Sequence, residues 1–93
     1  MVIASLTWEL VLPGCSSLKE KRSVLRSLRD RLRAKFNVSV AETAFQDIHD
    51  HAALTVVLVT TDSRFADSVL EKLDRFVEGH GGAVITAVHR EIY

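Results

Sequence analysis

Residues 2–12 alternate between two kinds of position, which is the period of a β-strand. The even-numbered positions are all apolar, whereas the odd-numbered ones include Ser5, Thr7 and Glu9. This pattern predicts a strand whose even-numbered side faces a core and whose odd-numbered side faces outward. Residues 52–60 are nearly continuous in apolar and β-branched side chains, which predicts a central strand with little exposure on either face. Two further strands are predicted at residues 38–44 and 83–93.

A helical period replaces the alternation in residues 17–36, where leucines recur on one face. Ser17 is a good N-cap, and Glu20 completes a capping box in which its carboxylate reaches back to the Ser17 amide. At the other end, Asn37 tolerates the left-handed backbone conformation that often closes a helix. We therefore predict a first helix that begins at Ser17 and ends at Asn37.

A second amphipathic helix is predicted between a cap at Thr61 or Asp62 and the glycines that begin at Gly79. The order of elements is then β-α-β-β-α-β. Two crossovers and one hairpin predict a ferredoxin-like α+β sandwich, a four-stranded antiparallel sheet in the order 4-1-3-2 with both helices on one face. Residues 1–93 are expected to form a single domain. This fold supports many unrelated activities, so it does not identify a function.

Composition indicates where the protein acts. No apolar run approaches the roughly 20 residues of a membrane span. The first residues lack the basic start of a secretory signal, and Glu9 interrupts them. The lone cysteine, Cys15, cannot form an intramolecular disulfide and is interpreted as an incidental thiol. We expect a cytoplasmic protein.

The net charge is zero, but the charges are unevenly placed. Residues 17–36 carry eight basic and two acidic side chains, a local charge of +6, and the remaining residues carry −6. At about 100° per residue, five of the cations share one flank of the first helix. We call them the basic stripe: Lys19, Arg22, Arg26, Arg29 and Arg33.

Lys21 falls among the leucines rather than in the stripe. We expect it to extend past the end of the sheet and to serve a structural role. The alternative is that Lys21, together with Ser16, Ser17 and the free amides of the first turn, forms an anion site.

Two interpretations of the stripe need no partner. It is either a solvated helix face, with Asp30 near Arg26 and Arg33, or it pairs with acids of the same chain. The second helix has a ridge of such acids, namely Asp67, Glu71, Asp74 and Glu78. In the predicted fold the two helices run antiparallel, and the basic stripe and the acidic ridge are displaced from their apolar faces in the same rotational sense. The stripe and the ridge should therefore point away from each other. The stripe would then face outward over the second strand.

Other chemistry is poorly supported by the sequence. His49 and His51 lie in a polar turn with Gln46, Asp47 and Asp50, but no third histidine or cysteine has a diagnostic metal spacing. A hairpin turn is the favoured interpretation of that segment. No cofactor motif or catalytic constellation is present, so we do not expect an enzyme. An RNA-recognition motif is excluded because the outward faces of the first and third strands lack aromatics.

The run SLKEKRSVLRSLRDRLRAKFNVSVAE, followed by Gln46 and Asp47, resembles the YlxP-like family of small bacterial proteins, a domain of unknown function (503). The resemblance implies a ferredoxin-like fold and a cytoplasmic bacterial protein. It also implies a gene neighbourhood of ribosome-maturation and translation-initiation factors. Relatives commonly place a tryptophan shortly after the Gln-Asp pair, where this chain has His49.

The function we predict is a non-enzymatic accessory protein that binds structured or ribosomal RNA. The expected contacts are the basic stripe, with Lys21 as a further candidate. The alternative is a self-association or protein-interaction module that uses the open face of the sheet, where Ile3, Val11 and the outward side of the third strand would form an apolar patch. The alternative partner is then a second copy or another protein.

Overall fold

The computed structural model describes all residues from Met1 to Tyr93. In chain order the elements are β1 (Val2–Val11), α1 (Leu18–Lys35), β2 (Ser39–Ala44), β3 (His51–Thr60), α2 (Ser63–Glu78) and β4 (Val84–Ile92). The strands form one antiparallel sheet in the order β2-β3-β1-β4, which is the predicted order read from the opposite edge. The ferredoxin-like prediction is confirmed.

The two central strands pair along their whole length, from Val2 opposite Thr60 to Val11 opposite His51. On β1 every even-numbered residue from Ala4 to Leu10 is buried, while the odd-numbered ones are half-exposed. The predicted orientation of β1 is therefore confirmed. β1 and β3 supply most of the sheet's share of an 18-residue apolar core that lies between the sheet and the helices.

Trp8 is the largest side chain in this core and is fully buried. Its indole Nε1 donates a 2.9 Å hydrogen bond to the carboxylate of Asp74 on α2. A buried indole N–H needs such an acceptor, because leaving the donor unsatisfied costs about 1–3 kcal/mol. This bond joins the centre of the sheet to the second helix.

The helix ends differ from the sequence predictions in detail. Ser17 caps α1 by accepting from the amide of Glu20, as predicted, but the Glu20 carboxylate accepts from the Ser16 amide at 2.9 Å and not from Ser17. At the other end, Phe36 is extended, with φ −127°, and Asn37 is not left-handed. Asp62, rather than Thr61, caps α2.

Candidate functional site

The first helix carries the charge that dominates the surface of the molecule. Its inner face is formed by Leu25, Leu28 and Leu32, all buried against the sheet. Since residues three and four apart share a helix face, the cations offset from these leucines form one flank. Four stripe residues are exposed and Arg29 is half-exposed.

No carboxylate lies within 4 Å of any cation of the basic stripe. The Arg33 guanidinium donates a 2.9 Å hydrogen bond to the carbonyl of Val40, which places this end of the stripe beside β2, as predicted. The predicted support from Asp30 does not take the form of an ion pair. Near the start of the helix, a shallow depression of about 290 Å³ is lined only by Lys19, Arg22, Ser23 and Arg26.

The acidic ridge of α2 does not neutralise the stripe. Asp67 forms an ion pair with Arg90 of β4, and Asp74 accepts the indole hydrogen bond from Trp8. The other two members of the ridge, Glu71 and Glu78, form no ion pair. No carboxylate in direct contact therefore neutralises the positive charge of the stripe.

Lys21 requires a correction, because its side chain is fully buried and does not extend past the sheet to solvent. Its ammonium donates to the carbonyls of Phe45, Gln46 and His51 at 2.8, 3.3 and 3.1 Å. It also lies 2.9 Å from Glu42 Oε2, in a direction outside hydrogen-bond geometry, so that contact is an ion pair only. A charge enclosed in this way cannot contact a phosphate, and Lys21 leaves the predicted RNA-binding set.

What Lys21 does instead is hold the β2–β3 turn against the start of α1. Phe45 is the only non-glycine residue with a positive φ, at 64°, a conformation that costs a bulky side chain energy. The Phe45 carbonyl accepts both from Lys21 and from the amide of Ile48, at 3.0 Å. These two bonds stabilise the strained residue, which gives Lys21 the structural role that the sequence suggested.

No three His, Cys, Asp or Glu side chains converge on one point, at this turn or elsewhere in the structure. His51 Nδ1 lies 3.2 Å from the carboxylate of Asp50. That hydrogen bond, together with the nearby charge of His49, lowers the pKa of Asp50.

Cys15 is buried and unpaired. Neither helix combines the length and the apolar character needed to cross a bilayer.

The open face of the sheet is more polar at its centre than predicted. Hydroxyl groups of Thr7, Thr55 and Thr43 form a chain of hydrogen bonds of 2.8 and 2.9 Å across three strands. Ile3 and Val11 are only half-exposed, and Val59 alone of the large apolar residues on β3 is strongly exposed, at 66%. The predicted apolar patch is therefore divided by the threonines, with Ile3 and Val59 paired at one end of this face and Val11 and Val84 paired at the other.

Strand β4 has an exposure that the sequence did not indicate. It is an edge strand, and Val84, Val88, Ile92 and the following Tyr93 are all at least 44% exposed. Val88 and Ile92 lie opposite Trp8 and Ala4, so they are on the side that faces the helices. The sequence predicts a strand at residues 83–93 but contains no signal that α2 would leave its helix-facing side uncovered.

Comparison with known proteins places the chain in a family. The family model described as a protein of unknown function (DUF503) matches residues 3–90. The chain belongs to the DUF503 family. The uncharacterized protein YlxP of Bacillus subtilis (strain 168) is 30% identical over 70 residues, which are 75% of this chain and 76% of YlxP. The resemblance found in the sequence is confirmed.

Among solved structures, a mutant of SnoaB, a cofactor-independent oxygenase from Streptomyces nogalater, has a similar fold. The TM-score is 0.52 over 99% of this chain and 90% of SnoaB, with 8% sequence identity. At that identity the likeness concerns the fold alone. It agrees with the ferredoxin-like topology of the DUF503 chain.

Proposed function

We propose that this DUF503 protein is a non-enzymatic accessory factor that binds structured RNA through the basic stripe of α1. The observation that carries the proposal is that five cations share one helix flank and none contacts a carboxylate of the same chain. From Lys19 to Arg33 the stripe extends about 21 Å at the rise of an α-helix. A rod of that length can contact several backbone phosphates at once.

The chemistry of the stripe suits phosphate rather than bases. Four of its five members are arginine, whose planar guanidinium donates two parallel hydrogen bonds to a phosphate. The depression between Lys19 and Arg26 offers three cations around one point, a favourable position for a phosphate group. Contacts of this kind read the shape of a folded RNA and tolerate changes of sequence.

Ribosomal RNA is the favoured partner because of the gene neighbourhood that the family resemblance implies. This role would place the protein in the cytoplasm, where ribosomes are assembled. The open sheet face is not the proposed RNA surface, since its central residues are threonines and not stacking aromatics.

Fluorescence anisotropy with folded fragments of ribosomal RNA tests this proposal. We expect the variant Lys19→Gln/Arg22→Gln/Arg26→Gln, with three exposed cations neutralised, to bind at least about tenfold more weakly than wild type. The matched control neutralises three exposed cations of α2, in Arg64→Gln/Lys72→Gln/Arg75→Gln, and should retain most of the affinity. Equal losses in both variants, or no loss in either, would refute the assignment to α1.

A second candidate function is self-association through β4, favoured by the exposure of apolar side chains along this unpaired edge. Val84 is 55% exposed and Tyr93 is 69% exposed. Natural edge strands are usually shielded by charges, proline or a covering element. β4 carries the charged residues Arg90 and Glu91, but its exposed apolar side chains have no covering element, and a second copy would cover them. Sedimentation velocity at several protein concentrations tests the idea: a dimer that Val88→Lys dissociates supports it, and a monomer at all concentrations contradicts it.

A further inference from the structure

A groove lies where the end of α1, the end of β3 and the first turns of α2 meet. Its volume is about 450 Å³, within the range of small-molecule sites. The lining is mostly apolar and includes Phe36, Leu58, Val59 and Phe65. A second depression of about 330 Å³ shares Phe36 and two lysines with it, so the two form one continuous surface along α2.

The apolar part of the groove is incompletely covered by the protein itself. Phe65 is 56% exposed although it is a large apolar residue. Val59 borders the groove at the end of β3, but its side chain is on the open face of the sheet, opposite to that of Leu58. Deeper in the groove, Leu58 is buried, and Phe36 and Val69 pack partly against the core. An apolar concavity with exposed walls and a solid floor is typical of a ligand site.

Cations border the other end of the groove. Lys35, Lys72 and Arg75 line the two depressions, and none of them lies within 4 Å of a carboxylate. The Lys35 ammonium lies instead 5.2 Å from the centre of the Phe76 ring and 5.8 Å from that of Phe36. These two rings pack edge to face with centres 5.9 Å apart. Positive charge is thus held beside aromatic surface without an anionic partner.

We infer that this groove binds an amphipathic anion with an elongated apolar body, of the class of a medium-chain fatty acid or an alkyl phosphate. The apolar body lies over Phe65 and Val69, and the anionic head lies between Lys72 and Arg75. The distance along α2 from Phe65 to Arg75 is about 15 Å at the helical rise, which suits an acyl chain of medium length. Charge complementarity selects an anion, and the apolar floor selects a ligand with a hydrocarbon body.

This site is independent of the proposed RNA interface. The groove residues of α1 are Lys35 and Phe36 at its C-terminal end, whereas the polar depression of the stripe lies near the N-terminal end. No member of the basic stripe lines the groove. Binding of an amphipathic anion and binding of RNA therefore depend on different cations.

Titration of the full chain, followed by amide chemical shifts, tests the inference. Decanoate and decyl phosphate serve as anionic probes below their micelle-forming concentrations, and decyltrimethylammonium serves as a probe with the same apolar body and the opposite charge. We expect saturable shifts at the end of β3 and along α2 with at least one anion, and which anion binds identifies the preferred head group. No saturable binding of either anion, shifts confined to other elements, or equal binding of the cation would overturn the inference.

Variants separate the two parts of the site. Lys72→Gln/Arg75→Gln changes two exposed side chains and should weaken binding of the anion at least about tenfold, because the loss of even one charge-assisted hydrogen bond has that effect. Phe65→Ser, also at an exposed position, should weaken it through loss of apolar contact. The stripe variant Lys19→Gln/Arg22→Gln/Arg26→Gln is the control and should bind the anion like wild type. If Lys72→Gln/Arg75→Gln binds the anion with the affinity of wild type, the placement of the anionic head between Lys72 and Arg75 is contradicted, even though the anion binds.

Discussion

Replacement of Lys21 by methionine is expected to destabilise the protein severely, although it exchanges one long side chain for another. The ammonium is fully buried, donates to three carbonyls of the β2–β3 turn and lies 2.9 Å from Glu42. Its removal leaves those acceptors without their donor and leaves the Glu42 carboxylate, whose side chain is 17% exposed, without a cation. Loss of one partner of a buried pair typically costs about 3–5 kcal/mol.

That loss is large beside the whole free energy of unfolding, which for a domain of this size is roughly 5–14 kcal/mol. We expect the melting temperature to fall by at least about 12 °C. Urea unfolding monitored by the fluorescence of Trp8, which is fully buried, measures the change directly. Lys19→Met, an exposed change of the same chemistry, is the control and should alter the free energy by less than about 0.5 kcal/mol.

The double variant Lys21→Met/Glu42→Leu separates burial of charge from loss of packing. Because an apolar pair of similar volume often replaces a buried ion pair at little cost, the double variant should be more stable than Lys21→Met alone, by about 1 kcal/mol or more. A single variant Lys21→Met that unfolds within about 0.5 kcal/mol of wild type would refute the structural role assigned to this lysine.

Three other expectations concern stability and assembly. Asp74→Ala should cost about 1–3 kcal/mol in urea unfolding, since it leaves the buried indole donor of Trp8 unsatisfied, and Asp74→Asn should cost less because it keeps an acceptor. Ser17→Ala should cost about 1 kcal/mol through loss of the cap, and Ser17→Asp should restore most of it. Val88→Lys should leave the free energy of unfolding nearly unchanged, because Val88 is 44% exposed, and it should dissociate any dimer formed through β4. If the wild-type protein is a dimer and Val88→Lys is still a dimer, the β4 edge is not the interface.

The regular parts of the fold could be predicted because period and position determine them locally. The alternation of residues 2–12 correctly assigned the buried side of β1, and the helical phase correctly placed Lys21 on the inner face of α1. The acceptors of Lys21 could not be predicted, because they are main-chain carbonyls 24 to 30 residues further along whose positions depend on the turn. Sequence patterns describe side chains and do not locate such carbonyls.

The surfaces were harder to predict than the core. The outward position of the stripe followed from helical phase, and the absence of acids beside it agrees with the expected separation of the two ridges. The exposure of Val88 and Phe65 depends on how much of the sheet the helices cover, and the extent of that cover cannot be deduced from a single sequence.

The slope of the logarithm of RNA affinity against the logarithm of salt concentration tests the central proposal most directly. If the five cations of the basic stripe each neutralise one phosphate, the wild-type slope should lie at roughly −3.5 to −4.5. The variant Lys19→Gln/Arg22→Gln/Arg26→Gln should have a slope smaller in magnitude by roughly 2.1 to 2.7, while Arg64→Gln/Lys72→Gln/Arg75→Gln should retain the wild-type slope. A slope that is the same in all three proteins would contradict the proposal that α1 is the surface that binds RNA.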